Sequence, residues 1–338
     1  MVASGARQSD QCQAVVPAPT FASAAPSNRS LAIVWLSGGS KPVVRDITDI
    51  NHPSTVATLV GPSRFVSASD VAYIDADGNL IRSAYAGPDK VTVARCTALF
   101  DWSPDGTAVV YAVTTEGGMT VHRLAAGHDV VLGSVPGIPA VGCEQIANCY
   151  GADTWDVSLS YSPDGKYISL VDSIANTSTF RLWASDGTLV KSSDASSPFM
   201  SVWSGGSLYF RDAGGVQVWR AGVVSSFLSG VAWIRPKASP GGGQIIYDAR
   251  DAQAWDHTYV VDTASGNVRD LGKAHSGPVF LTSRYVWYQG QRSCVAADNC
   301  GTRVAGVENG KTYIFDLQAG TESGSIITNV VDVWPHAA

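Results

Sequence analysis

The 338-residue sequence predicts an all-β fold, a seven-bladed β-propeller closed by pairing of the C-terminal strand with the N-terminal blade. Three observations point there. A strand–turn–strand segment, Phe100-Asp101-Trp102-Ser103-Pro104-Asp105-Gly106, returns as Leu159-Ser160-Tyr161-Ser162-Pro163-Asp164-Gly165. Looser copies recur about every 40 residues. The chain also opens on what reads as a second strand and closes on what reads as a first.

The turn explains itself. Proline presets the first central position, aspartate can accept backbone amides beyond it, and glycine supplies the positive φ that ends it. The flanking runs, rich in β-branched and aromatic residues, are continuously apolar or alternating, as strands buried between sheets are. Equivalent second-strand positions are Val34, Ile74, Tyr111, Leu170, Phe210, Tyr247 and Tyr288, spaced by 40, 37, 59, 40, 37 and 41 residues. A third strand follows each one, at 43–47, 80–83, 120–124, 179–183, 216–220, 258–262 and 311–317. Four strands per roughly 40 residues is the unit of a propeller blade. Asn329-Val330-Val331-Asp332-Val333-Trp334-Pro335 then supplies the first strand missing before 31–35 and removes two open edges. Six blades is the alternative count. Residues 31–338 read as a single propeller domain, and residues 1–30 as an Ala/Ser/Pro-rich extension tied by Cys12.

The Trp-Ser-Pro-Asp-Gly turn, together with Tyr259-Val260-Val261-Asp262-Thr263-Ala264-Ser265-Gly266 and Tyr313-Ile314-Phe315-Asp316-Leu317-Gln318-Ala319-Gly320, resembles the repeats of TolB-type (WD-like) propellers. The similarity covers 31–335 as a pattern and is close at 102–106 and 161–165. It implies a propeller used as a binding platform, exported in many cases. Such repeats also occur in periplasmic scaffolds, in prolyl-oligopeptidase-type peptidases and in some polysaccharide lyases, so they specify fold more than function. The peptidase reading is set aside here, because no G-x-S-x-G elbow and no accompanying α/β segment are present.

Composition narrows the partners. With 23 Lys+Arg against 29 Asp+Glu, the net charge of −6 offers no basic footprint for a phosphate backbone, so nucleic acid is not an expected partner. The longest apolar runs, 31–36 and 108–113, are far shorter than the roughly 20 residues of a membrane span, although tethering through the N-terminus is allowed. Six cysteines permit fifteen pairings. The repeated spacing favours Cys143–Cys149, Cys294–Cys300 and Cys12–Cys96, hence an oxidising setting: secreted, cell-surface or periplasmic.

Strand order places the Cys143–Cys149 and Cys294–Cys300 loops on one rim, the top face. Loops on a rigid scaffold are where binding concentrates. Trp102, Trp203, Trp233 and Trp334, at the repeat position, and Trp35, Trp183, Trp219 and Trp287, in strands, are assigned to packing. Trp155 and Trp255 fall in top loops beside Asp153, Asp156, Asp251, Asp256 and His257, an arrangement suited to stacking on a sugar or anchoring a protein. The expected function is an exported, non-enzymatic scaffold binding protein or glycan through these residues, with no cofactor. The alternatives are a polysaccharide lyase or hydrolase using the same carboxylates and His257, and a structural assembly subunit. Calcium or another divalent ion enters only as a minor reading. Asp75-Ala76-Asp77-Gly78-Asn79 fits a hairpin turn better than a calcium loop, while His257 and His275 could hold an ion with Asp251 or Asp256.

Overall fold

The structure, a computed structural model, describes residues 15, 18–22, 27–36, 41–85, 87, 89–115, 118–136, 156–174, 177–193, 199–250, 256–273, 275–290, 303–304, 307–308 and 310–335. These residues form seven four-stranded antiparallel sheets and one small two-stranded ribbon, Arg303–Val304 with Val307–Glu308. Each of the seven second-strand positions expected from the repeat lies in the second strand of its own sheet. The fold is a seven-bladed β-propeller. Among the described residues no helix is long and apolar enough to cross a membrane.

Contacts divide the chain into two compact units. Met1–Pro26 with Gly61–Ser197 holds blades two to four. Blade two is Arg64–Phe65, Asp70–Ile74, Leu80–Ala84 and Lys90–Ala94; blade three is Thr97–Trp102, Ala108–Thr115, Gly118–Ala125 and His128–Pro136. Blade four is Asp156–Tyr161, Tyr167–Ile174, Thr177–Ala184 and Leu189–Ser193. Ala72, Leu80, Trp102 and Val109 pack blade two on blade three, and Val110, Val121, Leu159 and Trp183 pack three on four. Val109 and Val110 thus serve opposite faces, which is why the run is continuously apolar rather than alternating.

Ser27–Val60 with Pro198–Ala338 holds the other four. Blade five is Phe199–Ser204, Ser207–Asp212, Gly215–Arg220 and Val223–Ser229; blade six is Ile234–Ala238, Gln244–Arg250, Asp256–Asp262 and Val268–Lys273. Blade seven is His275–Phe280, Tyr285–Gly290, Thr312–Asp316 and Thr321–Gly324. Blade one joins Leu31–Trp35, Pro42–Asp46 and Ser54–Thr58 to the C-terminal strand Val330–Trp334, in the order that closes both edges of Leu31–Trp35. Thr328 Oγ1 also donates to Trp35 O.

The turns behave as their chemistry requires. Gly106 N donates to Ser103 O at 2.8 Å, Ser103 Oγ donates to Asp105 Oδ1, and the Ala108 amide returns to Ser103 Oγ. Ser162, Asp164 and Tyr167 repeat this pattern, and Ser239 repeats the first and last bonds with Gly242 and Gln244. Asp75 accepts the amides of Asp77 and Asn79, so 75–79 is a hairpin turn. Of the tryptophans assigned to packing, Trp102, Trp183, Trp203, Trp219, Trp233 and Trp287 are buried, while Trp35 and Trp334 are half-buried. Among the described residues, the indoles of Trp183, Trp233 and Trp287 donate to a neighbouring blade or connection, at Leu132 O, Met200 O and Ile327 O.

Candidate functional site

Blade six assembles a charged cluster from three strands. Its second and third strands pair in a register that sets Asp248 opposite Thr258 and Arg250 opposite Asp256. Side chains alternate along a strand, so these four share one face while Tyr247, His257 and Tyr259 share the other. The first strand adds Arg235. Its pairing slips between Ile234 and Lys237, and within that bulge Arg235 takes a left-handed backbone, φ 52°. The same device recurs in blade five at Met200 (φ 52°) and in blade seven at Gly277 (φ 63°). Pro236 and Pro278 follow two of these residues, and proline inside a strand is confined to edges and bulges because it has no amide to give the ladder.

Asp248 and Asp256 are almost wholly buried, at 0% and 1% exposure. Arg235 Nη2 lies 2.9 Å from Asp256 Oδ2 and 3.3 Å from Asp248 Oδ2. Arg250 Nε donates to Asp256 Oδ1 at 3.1 Å. Asp248 also accepts Thr258 Oγ1 and, from blade seven, the Gly277 amide, each at 3.0 Å. Burial pushes the Asp248 carboxyl up to about 7, helped by nearby Asp256 and opposed by Arg235, the Gly277 amide and Thr258. Among the described residues the partners of the Arg235 guanidinium are these two aspartates, both met through Nη2; its side chain is 37% exposed and Nε is buried without a hydrogen-bond partner.

Beside this cluster, His275 begins the first strand of blade seven. It is 3% exposed, places Nε2 3.3 Å from Glu322 Oε2 and stacks on Tyr288 with ring centroids 3.9 Å apart. His275 Nδ1 and the Tyr288 hydroxyl are buried without hydrogen-bond partners. A side chain at Gly272 would meet the imidazole at 3.3 Å, so that glycine makes room for the ring.

The residues expected to form a site are distributed as follows. Asp153, Trp155, Asp251 and Trp255 lie outside the described residues, as do Cys12, Cys143, Cys149, Cys294 and Cys300. Asp156 opens blade four, paired with Ser173, and its side chain is likewise outside them. Cys96 is disulfide-bonded, with its partner beyond the described residues. Asp256 and His257 are adjacent in sequence but diverge. Asp256 turns to the arginines, whereas His257 Nδ1 lies 3.2 Å from Asp270 Oδ2 on the opposite face. His257 and His275 therefore answer to different carboxylates. Sequence reasoning missed Arg235, Asp248, Arg250 and Thr258; the prolines at 236 and 278, interrupting otherwise strand-like runs, were the available signal.

No protein-family model matches the chain, and no curated protein matches it. Solved structures do. Prolyl oligopeptidase B from Galerina marginata matches 89% of this chain at 11% identity with a TM-score of 0.57, and the chain spans about half of that protein, 51%. The β-propeller domain of the Trilobed protease from Pyrococcus furiosus, described as having an open velcro topology, matches 78% of this chain and 83% of its own length at 11% identity, TM-score 0.52. TolB from Acinetobacter baumannii matches 88% of this chain and 79% of its own at 15% identity, TM-score 0.44.

At these identities the likeness carries the fold. The resemblance to TolB-type repeats accordingly holds at the level of the β-propeller. The expected function does not survive. A non-enzymatic protein- or glycan-binding scaffold, with a polysaccharide enzyme or assembly subunit behind it, is overturned by neighbours that are propellers of peptidases. The missing G-x-S-x-G elbow speaks about catalytic chemistry within these 338 residues and not about what a propeller works beside, so it is no ground for setting peptidases aside.

Proposed function

We propose that this chain is the propeller of a peptide-hydrolysing system, holding peptide through the Arg235 cluster of blade six while a catalytic domain or chain working with it breaks the bond. Arg235 carries this reading. A guanidinium held through Nη2 by two buried aspartates, on a side chain 37% exposed, loses little freedom when it meets a peptide carbonyl or carboxylate. The left-handed backbone at Arg235, which Met200 and Gly277 share in the matching bulges, costs a non-glycine residue about 1–2 kcal/mol and sets the direction in which its side chain leaves the strand. The propellers of known peptidases supply the class of ligand. The disulfide at Cys96 supports an exported, oxidising setting for this activity.

Calorimetric titration with acetyl-Ala-Pro-Gly-Leu, as free acid and as amide, tests the reading, with mass spectrometry of the same mixtures reporting any cleavage. Binding weakened tenfold or more by Arg235→Met supports it. No binding at millimolar peptide, or binding indifferent to Arg235→Met, overturns it.

A further inference from the structure

Residues 18–22, Ala-Pro-Thr-Phe-Ala, lie against blades two and three, within their own compact unit. Phe21 meets Trp102 edge to face, ring centroids 4.8 Å apart and planes at 76°. The Arg82 guanidinium sits 5.1 Å from the Phe21 centroid and 5.0 Å from that of Trp102, so it faces both rings. Arg82 is held there by Asp70 Oδ2 at 2.7 Å and Gly106 O at 3.1 Å. Thr20 and Ala18 run over Gly127, whose missing side chain leaves the room: a Cβ there would meet Thr20 Cγ2 at 3.2 Å.

Three further observations distinguish this contact from ordinary core filling. Among the described residues, 18–22 make ring and apolar contacts with the blades but no hydrogen bond. A cavity of about 290 Å³ opens alongside, lined by Phe21, Asp70, Arg82, Asp89 and Val91 among others. Trp102 Nε1 is buried without an acceptor, whereas the indoles of Trp183, Trp233 and Trp287 each donate to a carbonyl. A buried donor left unmade is costly, about 1–3 kcal/mol.

We infer that Trp102 and Arg82 form a binding site for an extended peptide bearing an aromatic side chain, and that Phe21 occupies it in cis. The aromatic ring of the ligand takes the place of Phe21 against both indole and guanidinium, where cation–π and edge-to-face attraction both act. Its neighbouring residues extend into the adjoining cavity, and a ligand carrying an acceptor near Trp102 Nε1 satisfies the donor that Phe21 leaves bare. Because residues 18–22 belong to the same chain, they compete as an intramolecular ligand at high effective concentration and hide the site from peptide in trans. This goes beyond the Arg235 reading: it uses another surface and stands or falls without it.

The test uses the full chain with Phe21→Ala, and with Phe21→Leu as a second background that keeps an apolar cover. Each is titrated with acetyl-Ala-Pro-Thr-Phe-Ala-amide and with the same peptide carrying alanine in place of phenylalanine. Binding is read by calorimetry and by the indole N–H resonance of Trp102, assigned through Trp102→Phe. The phenylalanine peptide should bind the variants at least tenfold more tightly than the parent chain and move the Trp102 resonance, while the alanine peptide does neither. Repeated in the Phe21→Ala background with Arg235→Met, which removes the blade-six contribution to total binding, the titrations should keep the preference for the phenylalanine peptide and the shift of the Trp102 resonance, which separates this site from the blade-six cluster. Equal binding of the two peptides, an unmoved Trp102 resonance, or no gain over the parent in both backgrounds overturns the inference.

Discussion

The Gly277 amide of blade seven donates to Asp248 Oδ2 of blade six at 3.0 Å, a bond between two blades that ends on a fully buried carboxylate. The bulge at Gly277 aims the amide, and the adjacent arginine of blade six shares the same oxygen.

That carboxylate gives stability a definite pH dependence. The folded chain holds the Asp248 proton up to about 7, above the ordinary 3.8, so between those values the folded state binds more protons than the unfolded one. Stability from this group is full below pH 4 and is lost as pH rises through 7. Denaturant midpoints at pH 5 and pH 8 should differ more for the parent chain than for Asp248→Asn; equal differences would refute the assignment.

Arg235 should reverse a familiar preference. Its left-handed backbone suits glycine, as Gly277 shows at the matching place in blade seven. Arg235→Gly should therefore be more stable than Arg235→Ala by about 1 kcal/mol, the opposite of the order in a regular strand. Chemical denaturation of the two variants decides it.

Asp256 pairs with two arginines. Replacing it with alanine leaves Arg235 and Arg250 without that partner and should destabilise the chain by about 1–3 kcal/mol, discounted because both guanidiniums are partly exposed. His257→Ala, on the other face beside exposed Asp270, should cost less than Asp256→Ala in the same denaturation series.

The repeat turns predict acid sensitivity of the opposite sign from Asp248. Bonds from Ser103 and Thr107 hold the Asp105 carboxyl below its usual range, against the effect of burial, and Asp164 is held low in the same way by Ser162 and Lys166. Their contribution is present above about pH 4 and lost as pH falls further. Asp105→Ala should cost about 1 kcal/mol at pH 7 and less at pH 2, measurable as converging melting temperatures.

Removing residues 330–338 should abolish cooperative unfolding of the blade-one unit. Val330–Trp334 covers the edge of Leu31–Trp35, and Val333 packs with Ala32, Val34, Trp287 and Ile314. Size-exclusion chromatography should show association through the bared edge; a monomer melting like the parent would contradict the closure.

Blade number, strand order and closure were legible in the chain itself, because each depends on local chemistry repeated at a fixed period. Ser103-Pro104-Asp105-Gly106 encodes its turn wherever it stands, and 109–110 reads as buried on both faces whatever it packs against. The clusters were not legible in this way. Asp248 and Gly277 are 29 residues apart, Arg235 and Asp256 are 21, and Phe21 and Trp102 lie in segments with no shared pattern. Period-two alternation sent Asp256 and His257 to opposite faces, while bulges at Arg235 and Gly277 redirected groups that a regular strand would have placed elsewhere. The sequence by itself determined the propeller, since repetition and turn chemistry are properties of neighbouring residues. Only tertiary structure decided which charges and rings meet, because burial and register, which set their energies, exist only once strands have paired and blades have packed.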